Sequence, residues 1–273
     1  VYKRQVLPYV DTVWHVGGGR IDAVGNRQTY LAEQTAKIED ICPVFAGTES
    51  LFSLNKVAFS VKDREILKGV TCEIPRGGRT VLLGENGCGK TTLMRLIARL
   101  CRPTGGTIAQ YIDEKLSQKP KGSKAWYRKV GVVYQNPDYQ LFMPTVEREI
   151  KFGAPSPAYA ERIAELFQVR HLWQRHPQSL SEGQKRRVSI AAAVACAPEV
   201  LLLDEPTVGQ DYDGLCAMTD ILNRLHAETG NSMITVTHDV RCAEALCDRA
   251  FLIQDGVIRR QGGKELVREY FSR

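Results

Sequence analysis

The run Gly84-Glu85-Asn86-Gly87-Cys88-Gly89-Lys90-Thr91 limits the possible folds of this chain more than any other feature. It follows an apolar strand-like segment, Thr80 to Leu83, and precedes a helical pattern that begins at Thr92. Such a loop binds polyphosphates, because its glycines turn backbone N–H groups inward and the helix N-terminus adds partial positive charge. The alternative is an ordinary glycine-rich turn before a helix. The strand, the helix and the Lys-Thr pair together favour a nucleoside triphosphate site.

Individual residues of this phosphate-binding loop have distinct expected roles. The residues from Gly84 to Thr92 should line the polyphosphate, Lys90 should reach the β- and γ-phosphates, and the Thr91 hydroxyl should bind Mg²⁺. Cys88 has two interpretations. It is either an inert small side chain or a thiol that makes nucleotide binding sensitive to oxidation.

Composition sets the broad class of the protein. The 273 residues are 43% hydrophobic and 25% charged, which is ordinary for a globular chain with a sizeable core. The net charge of +6 suits a polyphosphate or an anionic membrane surface and does not by itself indicate nucleic acid. No apolar run is long enough to cross a membrane. The eight cysteines form no CxxC pair, so we expect buried free thiols and a cytoplasmic protein.

A weak internal repeat bears on the domain organisation. Residues 10–25 align without gaps on residues 247–262, and both segments predict a strand, a glycine turn and a second strand. The identical positions are Asp11/Asp248, Gly19/Gly256, Ile21/Ile258 and Gly25/Gly262. Two unrelated hairpins could look this similar. We expect instead that residues 1–25 are the C-terminal remnant of a preceding copy of the same domain, that residues 26–50 are a linker, and that residues 51–273 form the main domain.

The main domain has the pattern of an α/β fold. Strand-like segments alternate with helical ones after the phosphate-binding loop, which predicts a mainly parallel sheet. The strands before the loop should belong to a smaller antiparallel β subdomain, and the amphipathic helix near residues 159–169 should belong to a helical subdomain. The predicted class is therefore a P-loop NTPase core with an antiparallel β subdomain and a helical subdomain.

Two carboxylates end a fully apolar strand, Val200 to Leu203. Asp204 and Glu205 would lie at the carboxyl edge of the sheet, where open α/β sheets bind their ligands. There Asp204 would hold Mg²⁺, and Glu205 would act as the general base toward the attacking water. An acidic strand end that caps the next turn is the alternative.

The segment Leu180-Ser181-Glu182-Gly183-Gln184 predicts a helix start. Ser181 and Gln184 have the spacing of a capping box, and the same helix N-terminus could also face a phosphate. The basic residues 185–187 that follow are interpreted as a solvated helix face.

The order of the segments GENGCGKT, YQNPDYQ, LSEGQ, LLLDEP, VGQD and THD resembles the ATP-binding domain of ATP-binding-cassette (ABC) proteins, over roughly residues 51–262. The resemblance implies ATP and Mg²⁺ as ligands and a head-to-tail dimer with a second such domain, identical or different. Gln135 then corresponds to the glutamine that senses Mg²⁺ and the attacking water, and His238 to the histidine at the γ-phosphate. Ser181, Gly183 and Gln184 correspond to the signature that completes the opposing ATP site, and Asp211 to the aspartate of the D-loop at that interface.

Within that family, residues 135–146 resemble the ATPases of energy-coupling-factor importers, which drive uptake of vitamins and of cobalt or nickel ions. Some of these importers fuse two ATPase domains, which agrees with the repeat. The resemblance implies a transmembrane subunit that docks near residues 135–146, where Tyr139, Leu141, Phe142 and Met143 are expected to be exposed. It also implies a peripheral protein on the cytoplasmic face of the cell membrane. It names no solute.

Two positions depart from the family pattern. Val61 stands where an aromatic residue usually stacks on adenine, so Phe59 is the substitute candidate. Glu182 stands where glycine is common, and its carboxylate is unfavourable near a polyphosphate unless it points to solvent.

Other functions within this family remain as alternatives. They are a soluble ABC ATPase that acts on DNA or ribosomes, an ATP-dependent assembly module without hydrolysis, and an exporter subunit. The short distance between the phosphate-binding loop and LSEGQ leaves no room for a coiled coil, which argues against the DNA-repair members. Glu205 and His238 argue against a module that only binds ATP.

Overall fold

The structure is a computed structural model that describes residues 12–17 and 20–26 in their backbone, and residues 49–112 and 123–272 in full. The chain divides into two compact units, Val1–Pro43 and Val44–Arg273. Nearly all of the expected linker, residues 26–50, lies outside the described residues. Strand β1 (Thr12–Gly17) pairs antiparallel with β2 (Arg20–Asn26), which confirms the predicted N-terminal hairpin.

The second unit contains the predicted alternation of strands and helices. Its strands are β3 (Ser50–Val61), β4 (Arg64–Pro75), β5 (Arg79–Leu83), β6 (Gly105–Gln110), β7 (Val130–Val133), β8 (Val200–Asp204), β9 (Ser232–Val236), β10 (Arg249–Gln254) and β11 (Val257–Gly262). Its helices are α1 (Lys90–Ile97), α2 (Lys124–Lys129), α3 (Val146–Lys151), α4 (Pro157–Leu166), α5 (Glu182–Ala195), α6 (Tyr212–Thr229), α7 (Val240–Ala245) and α8 (Lys264–Phe271). Short 3₁₀ turns cover Pro137–Tyr139, Arg170–Leu172 and Pro177–Ser179.

The central sheet has the strand order β11-β10-β5-β9-β8-β7. All neighbouring pairs from β10 to β7 are parallel, and only β11 runs antiparallel. The predicted mainly parallel sheet is confirmed. Its register brings the carboxyl ends of three strands together, because Val236 at the end of β9 is aligned with Leu82 on one side and Asp204 on the other.

The antiparallel β subdomain has the order β4-β3-β6. It is joined to the edge of the central sheet by a backbone hydrogen bond of 2.8 Å from Lys68 N to Gly256 O. This confirms the predicted smaller antiparallel layer.

Side-chain alternation in β8 shows how the sheet separates two cores. Leu201 and Leu203 face a core built with helices α3 to α6, whereas Val200 and Leu202 face a core shared with α1 and the antiparallel sheet. Alternating faces are a property of every strand, so an unbroken apolar run predicts burial on both sides. Both faces of β8 are completely buried.

A buried ion pair fixes the amino end of β5 to the start of β10. The Arg79 side chain is 1% exposed and contacts both carboxylate oxygens of Asp248, with Nη2–Oδ1 at 2.5 Å and Nε–Oδ2 at 3.0 Å. Arg79 Nη1 also donates to Asn223 Oδ1 of α6 at 2.7 Å. One guanidinium thereby joins two strands and a helix.

None of the described helices is both long enough and apolar enough to cross a membrane.

We predict that Arg79→Ala lowers the free energy of unfolding by about 3–5 kcal/mol, because it leaves the Asp248 carboxylate partly buried without its cation. Denaturant unfolding followed by circular dichroism measures the change. Arg259→Ala is the matched control, since its 3.5 Å pair with Asp255 is exposed and should contribute about 0–1 kcal/mol. Equal effects of the two substitutions would contradict this account.

Candidate active site

The phosphate-binding loop joins β5 to α1 at the carboxyl edge of the central sheet. The Lys90 side chain is buried and folds over the loop, donating from Nζ to the carbonyl oxygens of Gly84 at 2.7 Å and Glu85 at 2.9 Å. Two backbone carbonyl groups therefore hold the Lys90 ammonium against the loop, where it could contact a bound polyphosphate. Helix α1 begins directly after Gly89, so its free N–H groups point to the same place.

Gly89 shows why the loop needs glycine. Its φ is +107°, and a Cβ atom there would lie 2.5 Å from Cδ2 of Leu67, a side chain of the buried core. Any other residue would be strained and would push the loop off the antiparallel sheet. The loop therefore approaches the sheet as closely as its backbone allows.

The expected Mg²⁺ ligands lie side by side. Thr91 Oγ1 donates to Asp204 Oδ2 at 3.1 Å, so the start of α1 and the end of β8 meet. Burial raises the pKa of Asp204, and the hydrogen bond from Thr91 opposes that shift. A hydroxyl and a carboxylate oxygen form the hard donor set that Mg²⁺ prefers, so these residues fit the ion.

Glu205 and His238 face each other beside that pair. Glu205 Oε1 lies 3.5 Å from His238 Nε2, and the Glu205 backbone has φ +54°, a left-handed conformation that is uncommon for this residue type. Burial raises the pKa of Glu205 to about 7, with a further rise from the charge of Asp204, while the N–H of His238 lowers it. Burial also lowers the pKa of His238. Within the described residues, Glu205 Oε1 is buried without a hydrogen-bond partner, which leaves an acceptor free for a water molecule.

The start of α5 has the predicted capping box. Ser181 Oγ accepts from the N–H of Gln184 at 3.3 Å, and Gln184 Oε1 accepts from the N–H of Ser181 at 3.1 Å. The Glu182 side chain is 68% exposed and pairs with Lys185 at 3.2 Å. The unfavourable carboxylate thus points toward solvent and has a cation beside it.

The prediction that residues 185–187 form a solvated helix face is wrong for the first two. The Lys185 side chain is buried and pairs with Asp138 at 2.9 Å. Arg186 is 2% exposed, and its guanidinium donates to the carbonyl oxygens of Tyr134, at 2.6 Å, and of Gln135. These cations hold the segment after β7 against α5, a role that depends on tertiary packing and has no signature in the sequence.

Gln135 itself lies just after β7, with an exposed side chain. Its position at the carboxyl edge of the sheet agrees with the predicted role near Mg²⁺, which stays a prediction. Asp211 has a definite local role, since its side chain caps α6 by accepting from the N–H of Gly214 at 2.8 Å.

The two candidate positions for contact with the base, Phe59 and Val61, both lie on β3. Phe59 is half-buried and packs against the core that contains Leu67, so part of its ring is committed to packing. Val61, at the end of β3, is 50% exposed. Stacking of adenine on Phe59 therefore stays a prediction that its packing does not favour.

An exposed aromatic pair follows Gln135. Phe142 and Phe152 are 69% and 70% exposed and contact each other edge to face, with ring centroids 6.1 Å apart. Tyr139 is also exposed, and the backbone N–H groups of Phe142 and Met143 are held by the carboxylate of Glu149, at 2.9 and 2.7 Å. Phe152 and Glu149 were not anticipated from the sequence, although an aromatic residue at the end of a short helix is a usable signal.

The expectation that Leu141 is exposed beside Phe142 is wrong. Leu141 is 4% exposed and belongs to the core between the central sheet and helices α3 to α6. The turn that begins at Pro137 directs Leu141 inward and leaves Phe142 outside.

The described cysteines are free thiols. Burial raises the pKa of Cys242 and of Cys247 to about 12 in each case, so these two are unreactive side chains of the core. Cys88 is half-buried, with its Sγ 3.9 Å from Lys90 Nζ. Both interpretations of Cys88 stay predictions.

The structure therefore brings Lys90, Thr91, Asp204, Glu205 and His238 to one edge of the sheet. Such a set can bind a polyphosphate with Mg²⁺ and place a base beside an attacking water. The segment from Ser181 to Gln184 is bonded to the turn after Glu205, through the hydrogen bond from Gln210 Nε2 to Gly183 O at 2.9 Å.

Comparison with known proteins agrees with this chemistry. A family model described as "ABC transporter" matches residues 67–208. The energy-coupling factor transporter ATP-binding protein EcfA2 of Halalkalibacterium halodurans is 37% identical over 215 residues, which cover 75% of this chain and 76% of that protein. The putative HMP/thiamine import ATP-binding protein YkoD of Bacillus subtilis is 35% identical over 211 residues, covering 76% of this chain and 38% of that protein.

Among solved structures, this chain is similar to CbiO1 from Clostridium perfringens, part of the ABC transporter complex CbiONQ. The two align with a TM-score of 0.69 and 29% sequence identity, over 81% of this chain and 92% of that one. The chain thus spans most of EcfA2 and CbiO1, and well under half of YkoD.

Proposed function

We propose, for a chain that belongs to the ABC transporter family, that its site hydrolyses ATP to drive solute uptake in an importer of the energy-coupling-factor type. The similarity to EcfA2 and CbiO1 supports this assignment. The observation that carries it is the meeting of five residues of the site at the carboxyl edge of the sheet: Lys90, Thr91, Asp204, Glu205 and His238.

The contacts of these residues fit ATP and Mg²⁺. Lys90 and the N–H groups of the loop and α1 would bind the β- and γ-phosphates, and Thr91 and Asp204 would hold the ion. Mg²⁺ supplies charge neutralisation of the polyphosphate when bound. Glu205 would accept the proton of the attacking water, and His238 would contact the γ-phosphate.

The second half of each site comes from another domain. ABC ATPase domains pair head to tail, so Ser181, Gly183, Gln184 and Asp211 of this chain would contact nucleotide held by its partner domain. The N-terminus of α5 carries the partial positive charge of the helix dipole, which suits an incoming phosphate.

Transport requires a membrane subunit, and the exposed aromatic pair supports a contact with one. Phe142 and Phe152 form an apolar surface that is costly to leave in water and follows directly on Gln135. We propose that this surface receives the transmembrane subunit, which places the chain on the cytoplasmic face of the cell membrane. A vitamin or a transition-metal ion is the proposed class of solute. An ABC ATPase that is not coupled to transport would have no need for this surface.

We predict that Lys90→Ala weakens ATP binding about ten- to hundredfold, because it removes the cation that faces the phosphates.

Glu205→Gln should leave ATP bound and lower turnover by about 10²–10⁴, because an amide accepts no proton. Nucleotide titration and a phosphate-release assay measure the two effects.

The matched controls are Lys124→Ala and Glu161→Gln, which change exposed residues of the same types. Both controls should resemble the unchanged chain. Normal turnover by Glu205→Gln would remove Glu205 as the base, and unchanged ATP affinity of Lys90→Ala would remove the loop as the binding site.

We predict that Phe142→Ser and Phe152→Ser abolish recruitment to membranes of cells that coexpress the transporter subunits. ATP hydrolysis by the purified chain should persist, because neither ring touches the described ATP-site residues. Leu100→Ser, which also removes an exposed apolar side chain, should leave recruitment intact. Leu141→Ser should instead lower stability by about 2–5 kcal/mol, because Leu141 is core. Normal recruitment of both Phe variants would place the docking surface elsewhere.

We also propose that residues 1–25 are the tail of a preceding copy of this domain, followed by a linker over residues 26–50. The support is a shared strand register. Under one constant shift in numbering, the pairs Val13↔Gly25, Val16↔Ile21 and Gly17↔Arg20 of β1–β2 become the pairs Ala250↔Gly262, Ile253↔Ile258 and Gln254↔Val257 of β10–β11. Each hairpin also has one irregularity in pairing, at different positions.

If this is right, a chain that lacks residues 1–45 should fold and bind ATP with unchanged affinity. Circular dichroism and nucleotide titration of the shortened chain provide the measurement. Loss of folding would show that the N-terminal hairpin belongs to this domain.

A further inference from the structure

Gln210 lies in the turn that leads from Glu205 to α6, inside the segment VGQD. The family resemblance gives Asp211 of that segment a role and gives none to Gln210. The turn is held by two backbone hydrogen bonds, from Val208 N to Glu205 O at 3.3 Å and from Gln210 N to Thr207 O at 3.2 Å. The position of Gln210 is therefore fixed relative to Glu205.

The Gln210 side chain reaches from this turn to the start of α5. Its Nε2 donates to the carbonyl oxygen of Gly183 at 2.9 Å, in a half-buried setting. Gly183 lies at the second position of α5, so its carbonyl oxygen can accept from a side chain and from the helix.

Two glycines make the space that this amide fills. A Cβ atom on Gly183 would lie 3.1 Å from Gln210 Nε2 and 3.3 Å from the carbonyl oxygen of Gly209. A Cβ atom on Gly214 would lie 2.6 Å from Gln210 Oε1. The amide is thus enclosed between the start of α5 and the first turn of α6, which restricts its orientation.

The residues that follow the signature segment, Ser181 to Gln184, are bonded to a different part of the domain. Lys185 and Arg186, which follow it, are bonded to Asp138 and to the backbone of Gln135, on the side of β7. The hydrogen bond of Gln210 leads to the Glu205 turn.

We propose that Gln210 is a positioning residue, which fixes the signature segment of this domain to the turn that follows its own catalytic carboxylate. The inference rests on the proposed function, in which the signature segment serves nucleotide bound by the partner domain. A shift of the signature segment against that nucleotide would then be transmitted through one amide to the residues after Glu205.

The first test measures the connection in the nucleotide-free chain, by amide hydrogen exchange. Gln210→Met keeps the length of the side chain and removes the donor. Loss of one hydrogen bond should speed exchange about three- to tenfold in residues 181–184 and 207–211 together. Gln178→Met, at an exposed position of the preceding 3₁₀ turn, is the matched control and should change neither segment.

The second test separates a positioning role from general destabilisation. ATP affinity of Gln210→Met should be unchanged, because its phosphate-binding loop is intact, while kcat should fall about three- to tenfold. Mixed dimers then place the substitution in one half of a single working site. In the first dimer, a Gln210→Met chain pairs with a Lys90→Ala chain. The one working site has the loop of the Gln210→Met chain and the signature segment of the Lys90→Ala chain, which keeps its Gln210 contact.

In the second dimer, an unchanged chain pairs with a Lys90→Ala/Gln210→Met chain. The one working site has the loop of the unchanged chain and the signature segment of the doubly substituted chain, which lacks the Gln210 contact.

We expect the first mixed dimer to hydrolyse ATP faster than the second, by the same three- to tenfold factor. Equal rates, or exchange that stays slow in both segments, would overturn the proposal. An unchanged chain that neither pairs nor hydrolyses ATP would contradict the proposed function instead, and the exchange measurement would still decide whether Gln210 connects the two segments.

Discussion

The alignment of three parallel strands is the constraint on which the site depends. Strands β5, β9 and β8 end together, with Val236 aligned to Leu82 on one side and Asp204 on the other. Side chains that are far apart in the sequence meet because each follows one of these strand ends: the phosphate-binding loop after β5, the carboxylates at the end of β8, and His238 after β9. A slip of one residue in either pairing would move a side chain of the candidate site by about 3.3 Å along the sheet, beyond hydrogen-bond reach. The apolar side chains of the strands, buried on both faces, set this register.

Much of this could be predicted from the sequence, because the signals are local. The capping box of α5 needs only Ser181 and Gln184 at the right spacing, and the phosphate-binding loop needs only its own residues and their flanks. The two-sided burial of β8 follows from an unbroken apolar run. The N-terminal hairpin was also predicted locally, from turn residues between strand-like segments.

What could not be predicted depends on tertiary packing. Lys185 and Arg186 have the composition of a solvated surface, yet both are buried. The segment after β7 supplies their partners, which are the Asp138 carboxylate and the carbonyl groups of Tyr134 and Gln135. Leu141 and Phe142 are adjacent and equally apolar. The 3₁₀ turn before them, and the Glu149 carboxylate that accepts from the Phe142 N–H, determine which one enters the core. The contact of Gln210 with Gly183 joins residues that are well separated in the chain, so neither local motif contains it.

The charges at the start of α5 have an effect that extends beyond contact distance. The first two turns of α5 contain one carboxylate, Glu182, and three cations, residues 185–187. The helix dipole already gives this N-terminal end a partial positive charge. Cations there are unfavourable within the domain, and the pairing of Lys185 with Asp138 and Glu182 offsets part of that cost. With Asp138 counted beside Glu182, the three cations leave one positive charge in surplus, which would attract a polyphosphate before any hydrogen bond can form. In the proposed nucleotide sandwich, this charge would speed the encounter of the two halves in dilute salt. Ions would slow it by shortening the range of the attraction to about 8 Å at physiological ionic strength.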